Sequence, residues 1–137
     1  MPVEGQLAAE VAEAGRAATH AIRIIQGFLH PPLTLVELAS IRALIEERMK
    51  VLRWLEVRGV QAAKSLVIQG EIALGCLTGY ETMARVYFDP EAITRHHSMQ
   101  EIARETQKVT DNSRTAKAAA IGYLQNVRSM CGRVLEE

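Results

Sequence analysis

His97, Glu101 and Glu105 recur every fourth residue, so on a helix they share one face. An imidazole and two carboxylates at that spacing are donor types that suit a divalent metal. The inward-facing Glu-x-x-His motifs of a bundle metal centre are absent, and Lys108 extends the same line, so the row reads as a solvated stripe. No metal or other cofactor is expected. Arg95, His96 and His97 are adjacent, but successive helical residues diverge by about 100° and do not converge on a substrate. No dinucleotide, P-loop, nucleophile-elbow or zinc-protease motif occurs, and catalysis is not expected.

Glu71 is the only charge between Lys64 and Glu81. Buried there, it would need a partner or a raised pKa, and it would then centre a small helical enzyme or a ligand carrier. Facing an edge of the fold, it would need neither, and acidic side chains are seldom fully buried. Arg104, Lys108, Arg114, Lys117, Arg128 and Arg133 give the C-terminal region a basic character, and residues 112–133 hold no acid. Such a helix can lie along phosphates. The competing reading is electrostatic matching to the N-terminal region, where Glu4, Glu10, Glu13 and Glu37 outnumber Arg16 and Arg23. Cys76 and Cys131 form no metal motif or disulfide framework; their apolar surroundings predict reduced thiols, at least partly buried.

These residues need elements to hold them. The 137-residue chain suits one domain over 1–137, with balanced charge, 48% hydrophobic and only 4% aromatic residues. Its N-terminus has no leader pattern and its apolar stretch from Leu66 to Tyr80 is too short to span a bilayer, which predicts a cytoplasmic protein without a membrane partner.

Leu7, Val11, Ala14, Ala18, Ala21, Ile25 and Phe28 alternate in steps of four and three, a heptad seam on a helix from about Val3 to Leu29. Pro31 and Pro32 stop it. Thr34 and Glu37 form a capping box for a second helix with Leu38, Ile41, Ile45, Leu52 and Leu55 on one face. Arg42–Glu46 and Glu46–Lys50 are spaced as i,i+4 pairs. Gly59 is a plausible break. Residues 60–88 predict a largely buried helix in which Gly70, Gly75 and Gly79 admit a neighbouring backbone, with a hairpin as the competing reading.

Asp89-Pro90 signals a new helix start. A seam of Met99, Ile102, Thr106, Val109, Ser113, Ala116, Ala120, Tyr123, Val127, Met130 and Val134 then favours one helix of some 45 residues, about 68 Å long, continuous through Asp111-Asn112-Ser113. The expected fold is all-α: an elongated antiparallel bundle of four helices, or three if 34–88 is continuous, ending in a long C-terminal helix. So long a seam outruns partners of about 25 residues. That predicts a helical interaction or assembly protein, a homo-oligomer or adaptor, with Ala116, Ala120, Tyr123, Val127, Met130 and Val134 in the contact. Nucleic-acid binding through the basic C-terminal helix, and an enzyme or ligand carrier at Glu71, are the alternatives.

Overall fold

The computed structural model describes residues 5–93 and 98–136. Four long helices, α1 (Gly5–Gln26), α2 (Leu35–Val57), α3 (Ala63–Tyr87) and α5 (Met99–Glu136), and the short α4 (Pro90–Ile93) build an all-helical antiparallel bundle. The chain runs up, down, up and down. Glu10 near the start of α1 meets Arg58 at the end of α2, and Arg42 early in α2 meets Glu81 late in α3. Tyr87 and Gln69 of α3 meet Thr106 and Asn126 of α5, and α1 returns to α5 with Gly15 against Cys131. The close pairs are α1 with α5, α5 with α3, and α3 with α2; α1 touches α2 lightly.

Local chemistry explains the boundaries. After α1, Gly27 and the Pro31-Pro32 pair end the hydrogen-bonded ladder. The Thr34 hydroxyl accepts from the Glu37 amide at 3.1 Å while the Glu37 carboxylate accepts from the Thr34 amide at 2.9 Å, the reciprocal cap expected of that spacing. Gly59 ends α2 with φ of +100°, Val60 donating to Leu55 and Gly59 to Glu56. That left-handed residue, open to glycine at little cost, turns the chain into α3. Residues 34–88 are therefore two helices, and residues 63–87 are helical with no hairpin.

The predicted 45-residue helix is shorter and starts later. Asp89 does cap a start, accepting from the Glu91 amide at 3.0 Å, but it serves only α4. A second cap begins α5: the Ser98 hydroxyl accepts from the Glu101 amide at 3.1 Å. From there α5 runs unbroken through Asp111-Asn112-Ser113 for 38 residues, about 57 Å.

One hydrophobic cluster joins all four long helices. α1 supplies Val11, Ala14, Ala18, Ala21, Ile22 and Ile25; small side chains at the centre of this list let α1 lie close on α5. α3 supplies the inner seam Leu66, Gly70, Ala73, Leu77, Tyr80 and Ala84. At Gly70 a Cβ would stand 2.7 Å from Met49 Cγ and 3.1 Å from Tyr123 Cζ, so this is the one expected close approach that the packing requires. Around Gly75 and Gly79 there is open space instead.

Ser113 is the buried polar residue of the core, only 2% exposed. Its hydroxyl accepts from the Leu33 amide at 2.8 Å, and the Tyr80 hydroxyl donates to the Leu33 carbonyl. The loop between α1 and α2 is thereby fastened to α5 and α3 through both polar groups of one residue, which satisfies a backbone unit that would otherwise be buried unpaired.

Candidate functional site

The seam residues expected at a contact between copies lie inside the single chain. Ala116, Ala120, Tyr123, Val127, Met130 and Val134 are all buried in the common core. They need no second copy to cover them, because α5 has two long neighbours, offset along it. α1 lies along residues 117–131, marked by Lys117 on the Phe28 carbonyl and Cys131 on Gly15; α3 reaches from Asn126 back to Thr106. Only the first turns overhang, where Met99 is exposed and Ile102 and Thr106 are half-buried.

Glu71 is exposed and stands 3.7 Å from Arg53, also exposed. It faces the α2 edge and is not a buried charge. Glu101 is exposed and Glu105 half-buried on α5; His97, like Arg95 and His96, lies outside the described residues. Among the described residues no three His, Cys, Asp or Glu side chains come together to hold a metal ion, and no helix is long and apolar enough to cross a membrane.

Cys131 is buried, and desolvation pushes its thiol up to about 11. Cys76 is exposed, contrary to the expectation from its apolar neighbours. Tyr123 has a buried hydroxyl without a hydrogen-bond partner among the described residues, and burial raises its pKa.

The arginines of α2 explain where the acids went. Arg42 does not pair with Glu46; it reaches α3, 3.0 Å from Glu81. Arg85, and then Arg42, hold the Glu81 carboxyl below its ordinary value. Arg53 faces Glu71, and Arg58 meets Glu10 of α1 at 3.3 Å while lying 5.6 Å from the centre of the Trp54 ring. Every acid–base pair between helices among the described residues thus involves α2. Among the described residues the acids of α1 do not meet the bases of α5: Glu10 turns to Arg58, and Glu13 pairs with Arg16 of its own helix at 2.8 Å.

Two outward faces are left. The first is on α3. Ile68, Ile72, Gly75, Gly79, Thr82 and Val86 are all exposed and step by four and three, a second heptad seam displaced two residues from the inner one. Ile68 is 55% and Ile72 64% exposed. Residues 65–86 hold three charges: Glu71 and Glu81, both drawn toward α2, and Arg85, which pairs with Glu81 at 3.0 Å; the six positions of the outer seam carry none. Beside it a shallow groove of about 230 Å³ runs to α5, lined by Ile72 and Ala73 with Ala119 and Gly122 and bridged by the Gln69–Asn126 hydrogen bond of 3.0 Å.

The second face lies between α1 and α5. Here a groove of about 480 Å³ is lined by Arg16, Thr19, His20 and Arg23 on one side and Arg128 on the other, with Cys131 in its wall. Of the six basic residues predicted on the last helix, Arg114, Lys117 and Arg128 fall within about 60° of one another around the helix. Arg104, Lys108 and Arg133 fall about 120–160° away from Arg128. Arg128 was legible in the sequence as part of the basic C-terminal helix; its α1 counterparts Arg16 and Arg23 and the outer seam of α3 were not, because the strongest seams are spent on the core.

Fold and faces together define an up-and-down four-helix bundle with one neutral and one basic outer face. No family model, no curated protein and no solved structure matches the chain, so its reading rests on its own residues.

Proposed function

We propose that the protein is a helical interaction module that assembles with a second copy of itself through the outer face of α3. The observation that carries this reading is the exposed, uncharged heptad seam from Ile68 to Val86. A sustained four–three pattern has no use to a solvated helix, whose outward positions ordinarily carry charge. Gly75 and Gly79, with open space above them, let a facing helix approach its backbone. An uncharged face offers a foreign partner no electrostatic handle, whereas a copy related by a two-fold axis brings the same isoleucines and the same gaps.

The strength follows from the size of the patch. Ile68, Ile72 and Val86 contribute about 1–2 kcal/mol each if the contact covers them. Three such side chains from each copy must offset an association cost of about 4–15 kcal/mol. At the favourable end of both ranges the gain exceeds the cost by about 8 kcal/mol, so a weak pair with a Kd no tighter than the micromolar range is expected. Sedimentation equilibrium from low to high micromolar chain concentration tests it. The wild-type chain should pass from monomer to dimer, and Ile72→Asp should stay monomeric with an unchanged helical signal. A wild-type chain that stays monomeric throughout, or an Ile72→Asp variant that dimerises normally, overturns the reading.

A further inference from the structure

We infer that the groove between α1 and α5 is a binding site for the phosphate backbone of a nucleic-acid duplex. The inference begins with two stretches that hold no acid: residues 14–30, with Arg16, His20, Arg23 and His30, and residues 112–133, with Arg114, Lys117, Arg128 and Arg133. In the chain they are far apart. The antiparallel packing lays one against the other, Gly15 beside Cys131 and Phe28 beside Lys117. Like charges are thus brought together along one groove.

Nothing within the protein neutralises its middle. Among the described residues Arg23 and Arg128 have no ion-pair partner; Arg16 on the same wall is paired with Glu13 at 2.8 Å, and Arg114, farther along α5, stands 3.9 Å from Asp111. A groove that gathers three arginines and leaves two of them unmatched is complementary to a polyanion.

The lining narrows the class. The groove from Ala12 to Arg23 and from Arg128 to Leu135 contains no Phe, Tyr or Trp on which an unpaired base could stack, and its one aromatic ring is the His20 imidazole. Its cations are arranged in two ridges. On α5, Arg128 lines the groove, and Lys117, in an adjoining pocket with its ammonium on the Phe28 carbonyl, stands about 16 Å further along the helix, a separation of about five successive phosphates of one duplex strand at 3.4 Å of axial rise. Contacts of this kind position a duplex without reading its sequence.

The test is fluorescence anisotropy with a labelled 30-base-pair DNA duplex of arbitrary sequence, a single strand of the same length, and polyglutamate as the acidic-protein probe. The three arginines lining the groove predict a fall in affinity of roughly fortyfold between 50 and 200 mM salt, from a Kd in the micromolar range. The Arg23→Ala/Arg128→Ala double variant should weaken duplex binding about tenfold and reduce the salt slope by about two. Its melting temperature should not change, because neither side chain has a partner to lose. The Arg104→Ala/Arg133→Ala variant removes the same charge from the other side of α5 and should bind as the wild type. Failure to bind the duplex at low salt, equal loss in both double variants, or preference for single strand or polyglutamate would each overturn the inference.

Discussion

The outer face of α3 and the groove between α1 and α5 are both products of where α2 sends its arginines, yet they end with opposite character. On α3, Arg42 and Arg53 draw Glu81 and Glu71 to one side, and what remains outside is neutral and apolar. On α1, Arg58 draws off Glu10, and what faces α5 is positive. A chain with sixteen basic and sixteen acidic residues therefore has no uniform surface. Exposed ion pairs are worth little to stability, about 0–1 kcal/mol each; their larger consequence here is to sort charge between faces.

The comparison is broken most directly by exchanging the two losses. Ile72→Asp should weaken self-association roughly a hundredfold by placing a carboxylate in an apolar contact, while leaving duplex affinity per chain within about twofold, too small a difference to be worth more than a fraction of 1 kcal/mol. Arg23→Ala/Arg128→Ala should do the reverse. Sedimentation and anisotropy on both variants check it; a variant that loses both properties would merge the two faces into one site.

Ser113→Ala comes next. It leaves the Leu33 amide buried without an acceptor, at a cost of about 1–3 kcal/mol, readable as a lower melting temperature. Ser113→Leu, which a pure seam reading would expect to stabilise α5, should cost at least as much, because it also forces extra volume into filled space.

The glycines of α3 separate its two seams. Gly70→Ala must displace Met49 or Tyr123; overpacking costs about 1–3 kcal/mol, against a gain in helix propensity of about 1 kcal/mol. A net loss of stability is expected in chemical denaturation. Gly79→Ala meets open space and should stabilise the isolated bundle by about 0.5–1 kcal/mol, while weakening the dimer by holding the helices apart.

The smallest effects are at the cysteines, one on each side of the molecule. At neutral pH one equivalent of thiol reagent should react quickly, at Cys76, and Cys131 should lag. Raising the concentration through the dimer range should slow Cys76 and leave Cys131 unchanged. Cys131 and Tyr123 hold their protons more tightly folded than unfolded. Their contribution to stability is complete below pH 9, the ordinary value of the thiol, and declines as the pH rises toward 11 and beyond. A denaturation series across that window should show the decline, reduced in a Tyr123→Phe variant.

The sequence by itself determined the all-helical bundle, the Thr34–Glu37 cap, the turn at Gly59 and the continuity of α5 through Asp111-Asn112-Ser113, because each follows from periodicity or from hydrogen bonds between near neighbours. The Ser98-to-Glu101 cap was legible as well, since serine followed three residues later by glutamate is a start signal; the stronger Asp89-Pro90 signal nine residues earlier obscured it. Only the tertiary structure decided which seam each helix spends on the core. Two apolar seams two residues apart on α3 are nearly equivalent in one dimension, and the positions of α2 and α5 bury Leu66, Ala73 and Leu77 while leaving Ile68 and Ile72 outside. The same holds for charge. Arg16 and Arg23 come to face Arg128 across one groove, and Glu10 and Glu81 become partners of arginines at α2, because helix packing sets distances in space while the sequence records only separation along the chain.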